Sequence, residues 1–345
     1  MSPLRIAAVA YFLIWGLATA AQPPAPTAPA APPPRPAPLP SDPQAAELLQ
    51  KALAAIQQLE NFEARFQQAT WTDSLPAEAK GVYIAGPGRI LRYELTVQRG
   101  SVSGAMLIVC DGEQLWRRDR AATVDSFEVF SLAQFDEELS QLTMDKQPAL
   151  EEKILKQLRR DLLSEHGFLG LTPTLEDLQQ HLRWSSLKSV KLAGGGDGWE
   201  LEGEWNQAAK DQIVPPKKSS DPKEPDYQLL WDQSQIGEFL PRRCRLRLEA
   251  KTLWPVQLEW LGPRPRQGEV VLSRLDWQIK PLTPAEVQER CRLTAAEQAL
   301  SIRRGDFKTI VKQRLDFLVR QQQMEEEMRR RQLQQQQEPG RSPGS

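Results

Sequence analysis

Histidine and cysteine are scarce in this chain. Two His (His166, His181) and three Cys (Cys110, Cys244, Cys291) among 345 residues nearly exclude a His- or Cys-rich metal site, and neither metal nor other cofactor is expected. A net charge of −1 lacks the basic excess that would draw the chain to nucleic acid or an anionic membrane. There is no Gly-x-Ser-x-Gly elbow. Ser164-Glu165-His166 superficially offers a nucleophile and a base, but residues one or two apart on a helix do not face each other. No catalytic residue is assigned, and the chain is read as a non-enzyme. The run Gly194-Gly195-Gly196-Asp197-Gly198 lies between two strand patterns, so it reads as a hairpin turn, not a phosphate cradle. An odd cysteine count leaves at least one free thiol, and Cys110 and Cys244 fall on inward strand positions as buried, inert groups. Tryptophan, by contrast, is plentiful: ten residues, all but Trp15 after position 70.

The N-terminus has the three parts of an export signal. Arg5 precedes an apolar run from Ile6 to Leu17, and Ala18-Thr19-Ala20-Ala21 supplies small residues for cleavage. The run is shorter than the ~20 residues of a spanning helix, and no Cys follows it to carry a lipid. Residues 1–21 are assigned as signal peptide. Residues 22–43, rich in Pro and Ala, form an extended linker that cannot build a core. The expected location is periplasmic or otherwise extracytoplasmic.

From Gly81 to Leu132 the chain reads as strands separated by turns. Val82 to Ala85 and Ile90 to Leu95 flank Gly86-Pro87-Gly88-Arg89, and Leu91, Tyr93 and Leu95 share one face. Asp111-Gly112, between Val109-Cys110 and Leu115-Trp116, predicts a two-residue hairpin. Upstream, Phe62, Ala64 and Phe66 alternate on a first strand. Downstream the same alternation returns in Trp199 to Trp205, in Cys244 to Ala250, in Val256 to Trp260 and in Val271 to Ile279. Glu200, Glu202 and Glu204, like Arg243, Arg245 and Arg247, fall on the opposite, solvated face. The expected architecture is a half-barrel, apolar within and charged without.

Helical spacing interrupts the strands. Ala46, Leu49, Leu53, Ile56 and Leu59 mark a first helix ending near Asn61. Leu150, Ile154, Leu158 and Leu162 mark another, with Pro148 in its first turn. Leu175, Leu178 and Leu182 mark a third, opened by Thr172-Pro173-Thr174. Asn206 to Asp226 reads as a polar mobile loop. Past Pro281 two short helices (Pro284 to Leu293, Thr294 to Arg303) precede a long one from Phe307 to Gln337, supported beyond Arg320 only by Glu–Arg pairs at i,i+4. Helices inserted among antiparallel strands must cover the sheet's apolar face.

The ordered set Phe62 to Gln68, Pro87 to Glu94, Asp111 to Trp116, Leu240-Pro241 and Leu253-Trp254-Pro255 resembles the periplasmic lipoprotein carrier (LolA-like) family over residues 44–289. Outside that span lie a helical extension, 290–338, and a tail, 339–345. The resemblance implies an α+β fold: a curved antiparallel sheet forming an incomplete β-barrel, with helices as a lid over a hydrophobic cavity for acyl chains. On that reading the cavity is lined by Phe66, Leu91, Tyr93, Ile108, Trp205, Leu248, Trp260 and Trp277. The lid is Leu158, Leu162, Phe168, Leu169 and Leu171. The implied partners are acylated lipoproteins or lipids and membrane-bound donor and acceptor proteins, and the C-terminal extension offers helix-mediated self-association. Family members carry an Arg before the Pro of the Pro-Gly turn, where it holds the lid closed. Gly86 stands there in this chain, with Arg89 and Arg92 offset from the position. The competing class is an envelope scaffold whose half-barrel is a packed core.

Overall fold

A computed structural model describes residues 41–72, 75–144, 152–214, 227–232, 240–264 and 267–318, with 320, 324 and 327 beyond. The signal, most of the linker, the final tail, Pro148 and Leu150 lie outside the described residues.

Helix α1 (Pro43–Gln57) begins where Asp42 accepts hydrogen bonds from the backbone N–H groups of Gln44 and Ala45, with Pro at the first turn. Its buried face is Ala45, Leu49, Ala52 and Ile56. Ala46 is exposed, so the buried stripe is turned by one residue from the expected one. Strands β1 (Phe62–Thr72), β2 (Leu75–Ala85), β3 (Leu91–Arg99), β4 (Val102–Cys110), β5 (Gln114–Ala121) and β6 (Val124–Ser131) follow as consecutive hairpins. The β4–β5 loop has three residues, not two. Asp111 Oδ1 accepts from the N–H groups of Glu113 and Gln114 at 2.9 Å each, and Gly112 takes φ +100°, so the aspartate itself stabilises the wider turn.

Three helices then cross the sheet: α2 (Leu132–Met144), α3 (Glu152–Glu165) and α4 (Thr172–His181). The sequence pattern missed α2, whose weak stripe holds only Leu132, Phe135 and Leu139 among its buried residues. Leu182, expected in α4, instead opens β7 (Leu182–Lys191). The turn at Gly194–Gly196 leads into β8 (Asp197–Trp205), and the expected loop after it begins as a helix, α5 (Gln207–Ile213), capped by Asn206. After α6 (Tyr227–Asp232), strands β9 (Arg243–Glu249), β10 (Pro255–Arg264) and β11 (Gly268–Pro281) complete the main sheet. The C-terminal segment adds α7 (Pro284–Arg290), α8 (Ala295–Gln298), a two-residue strand β12 (Arg303–Arg304) and helix α9 over 307–318.

Twelve strands pair in the order β12-β6-β5-β4-β3-β2-β1-β11-β10-β9-β8-β7. Every pairing is antiparallel except β12 on β6, and the two ends of the sheet do not meet. The protein is an open α+β half-barrel. Its concave face carries two main apolar clusters. One joins α1 and α4 to Leu201, Leu246, Leu248, Leu258, Trp260 and Trp277 of β8–β11. The other joins α2, α3 and α9 to Leu91, Ile108, Cys110, Leu115 and Phe130 of β3–β6.

The convex face departs from the solvated surface expected of it. Over β2 and β3 it is covered by the segment after β11, where Ile84 packs on Val287 and Cys291. Arg92, 9% exposed, donates to Glu297 at 2.6 Å and to the Arg292 carbonyl at 3.0 Å. Glu63 is fully buried and takes ion pairs from Arg65, Lys280 and Arg290. Glu200 is also buried, paired with Arg247 at 2.8 Å in a ladder of cross-strand pairs that includes Arg245 and Glu259. Alternation identifies which side chains leave the concave face, but not what lies against them outside. The chain then rounds the β6 edge through β12, and α9 returns to the concave side with Phe307 fully buried between Phe130 and Phe135.

Candidate functional site

The two concave clusters meet at an aromatic seam. Phe66 of β1 and Tyr93 of β3 stack at 5.9 Å, and Tyr83 of β2 meets Phe62 and Tyr93 at 5.6 and 6.3 Å. Between Phe66 and Tyr93 lies Gly81, where a Cβ would sit 2.5 Å from the Phe66 ring and 2.1 Å from the Glu94 carbonyl oxygen. Only glycine leaves room for the stack. Beyond β11, Trp205 and Trp260 stack at 5.1 Å, and the Trp205 N–H donates to the Pro241 carbonyl at 2.6 Å.

A loop from α3 to α4 lies on this seam. Its two glycines, Gly167 (φ +78°) and Gly170 (φ +57°), bend the chain as L-residues rarely do, and each faces the Tyr83 ring. The buried Tyr83 hydroxyl donates to the Gly167 carbonyl at 2.8 Å, and burial pushes its pKa up, so it stays a donor. Arg89 provides a second tie. Its backbone takes φ +67°, a strained conformation for a side-chain-bearing residue. Its guanidinium pairs with Asp136 of α2 at 2.7 Å and lies over the rings of Phe135 and Phe168 at 5.7 and 5.4 Å. Arg89, offset in sequence from the family position, therefore reaches the lid in space. Arg92 does not; it faces the convex side.

Of the cavity candidates, Leu248, Trp260 and Trp277 are buried in the β8–β11 cluster, with Phe66 and Trp205 packed against it. Leu91 and Ile108 belong to the β3–β6 cluster, with Tyr93 packed against it. The structure thus divides the eight between two clusters and leaves Phe66 and Tyr93 to join them. The lid candidates divide likewise. Leu158 and Leu162 are fully buried on the β3–β6 side with Phe168 beside them, and Leu171 packs on the β8–β11 cluster. Leu169 is half-buried in the loop itself.

His166 had no clear role in the sequence, yet it closes α3 next to the hinge. It is 1% exposed, its Nδ1 lies 2.7 Å from the Leu162 carbonyl, and its ring meets Phe307 at 5.3 Å. Burial lowers its pKa to about 4, leaving a neutral packing group unsuited to proton transfer near pH 7. The cysteines are free and buried, and burial pushes Cys110 up to about 11 and Cys291 up to about 12. Such thiols are unreactive. Among the described residues no group of His, Cys, Asp and Glu is arranged to hold a metal, and no helix is long and apolar enough to cross a membrane.

No family model and no curated protein matches the sequence. The chain is similar to several solved structures. LprF from Mycobacterium bovis superposes with a TM-score of 0.33 and 13% identity, over 69% of this chain and 93% of that one. A LolA superfamily protein from Nitrosomonas europaea gives 0.21 and 12%, over 70% and 96%. The Pseudomonas aeruginosa MucA/MucB complex gives 0.33 and 13%, over 75% of this chain and 64% of that one. The chain therefore spans less than two thirds of that structure's own length. At these scores the likeness carries no argument.

Proposed function

We propose that this chain is an exported, non-catalytic carrier that holds acyl chains between the concave sheet and the lid and moves them between membranes. The observation that supports it is the lid itself. A loop on two left-handed glycines covers an aromatic seam and is tied down by one buried hydroxyl and one arginine, both of which can let go without breaking the sheet. Each methylene left in water costs about 0.8 kcal/mol, so a carrier needs apolar area and no directed chemistry. Phe66, Leu91, Tyr93, Ile108, Trp205, Leu248, Trp260 and Trp277 supply that area once Leu158, Leu162, Phe168, Leu169 and Leu171 lift away. Acylated lipoproteins are the cargo class we favour, passed between membrane-bound donor and acceptor proteins.

A second reading, a packed scaffold in the cell envelope, is favoured by a different observation. Leu158, Leu162 and Phe307 fill the β3–β6 side of the concavity, and a cleft of about 630 Å³ is bordered by Arg89, Gly112, Leu132 and Asp136. Native mass spectrometry on the exported chain, purified without detergent, separates the two. Co-purifying acylated species, or uptake of a synthetic triacylated peptide but not its unacylated form, supports the carrier. A mass unchanged by the acylated peptide refutes it in favour of the scaffold.

A further inference from the structure

Along β1 and β11 the concave positions are apolar from the lid end inward: Phe62, Ala64 and Phe66 on one strand, Ile279, Trp277 and Leu275 on the other. They then turn polar at Gln68, Thr70 and Ser273. Followed through the strand pairings, the level of Thr70 is one lateral row across the sheet: Trp184, Gly203, Cys244, Trp260, Ser273, Thr70. The next row towards the lid is leucine from β8 to β11: Leu201, Leu246, Leu258 and Leu275.

Both ends of the upper row hold buried donors. Thr70 and Ser273 are each 7% exposed, with their hydroxyl oxygens 3.1 Å apart. The Gln68 carboxamide donates to Ser273 at 3.1 Å and to Thr70 at 3.5 Å. The bond between the two hydroxyls uses only one of their two protons. At the far end Trp184 is 3% exposed, its ring laid on Gly203, where a Cβ would be 3.1 Å away. Its indole N–H is buried without a partner, an arrangement that native interiors rarely keep.

We infer that this row binds the carbonyl oxygens of an ester- or amide-linked acyl ligand, with the chain running from it across the leucine row towards Phe66 and Trp277. The inference rests on the acyl-binding reading above and adds the polar group recognised and the direction in which the ligand lies. The chemistry selects a carbonyl. The row offers donors and no charge from β7 to β1, so a buried carboxylate or phosphate would be left uncompensated, whereas a neutral carbonyl accepts what the hydroxyl and the indole supply.

The test compares two probes of equal chain length on the full exported chain: 1-palmitoylglycerol, which has the carbonyl, and 1-O-hexadecylglycerol, which lacks it. The ester is expected to bind about threefold to tenfold tighter, the value of a net hydrogen bond. The double variant Thr70→Val/Ser273→Ala, near-isosteric at both positions, is expected to bring the ester down to the ether's affinity and leave the ether unchanged. Equal affinities for the unaltered chain overturn the inference without recourse to any variant, as does a preference that survives the double substitution. If neither probe binds, the acyl-binding reading falls and takes the inference with it.

Discussion

Replacing Tyr83 with Phe removes one oxygen atom and leaves the ring contacts with Phe62 and Tyr93 in place. The Gly167 carbonyl, 2.8 Å from that oxygen, then loses its donor while the lid is closed. A net hydrogen bond is worth about 1 kcal/mol and a buried orphaned carbonyl costs about as much again. The closed lid is therefore destabilised by about 2 kcal/mol, a roughly thirtyfold rise in the open population. Hydrogen exchange reads this directly. The amides of Gly167, Phe168, Gly170 and Thr172 bond to carbonyls within the loop and the end of α3, and they exchange when the loop, released from Tyr83, frays open. Tyr83→Phe is expected to speed their exchange about thirtyfold relative to amides of the central β1–β2 and β1–β11 ladders. If the lid amides keep their original rates while the variant is folded, Tyr83 is not a tie on the lid, and the opening mechanism proposed here is wrong.

Three further outcomes are expected. His166 has its folded pKa lowered from 6.5 to about 4, so its contribution is intact above pH 6.5 and lost as pH falls towards 4. The loss is about 3 kcal/mol at 1.36 kcal/mol per unit, and denaturant melts of His166→Leu should lose that slope; an unchanged slope refutes the assignment. Burial alone would raise the pKa of Glu63, but hydrogen bonds from Arg290, Arg65 and Lys280 bring it from 4.5 to about 2. Its contribution, about 2 kcal/mol after screening of the exposed partners, is present above pH 4.5 and lost below it, and Glu63→Gln should remove that acid step from a pH titration of stability. Phe307→Ala should cost about 3–5 kcal/mol by calorimetry, because the ring is fully buried between two others; a cost under about 1 kcal/mol would mean that α9 is not part of the core.

Strand alternation carried most of the fold into view. Phe62-Ala64-Phe66, Leu91-Tyr93-Leu95 and Cys244-Leu246-Leu248 face the concavity as their period of two requires. Helix α2 was hidden because Leu132, Phe135 and Leu139 are too few to stand out from polar neighbours. Asp111-Gly112 predicts a two-residue turn but forms a three-residue one, because the aspartate side chain, not the backbone alone, shapes that loop. The pattern alone does not show what covers the convex charges, because their partners are remote in sequence: Arg290 lies 227 residues from Glu63, and Glu297 lies 205 from Arg92.

The candidate site divides the same way. The local pattern by itself determined that a half-barrel with a greasy concave face would form and which side chains would point into it, since side-chain direction follows from backbone period. Only the tertiary structure decided that those side chains fall into two clusters, that Arg89 reaches Asp136 and the lid rings, and that Trp184, Ser273 and Thr70 share a row. Those relations depend on strand register and on the path of the chain around the β6 edge. Both are set by packing between segments tens to hundreds of residues apart, and no local window contains that information.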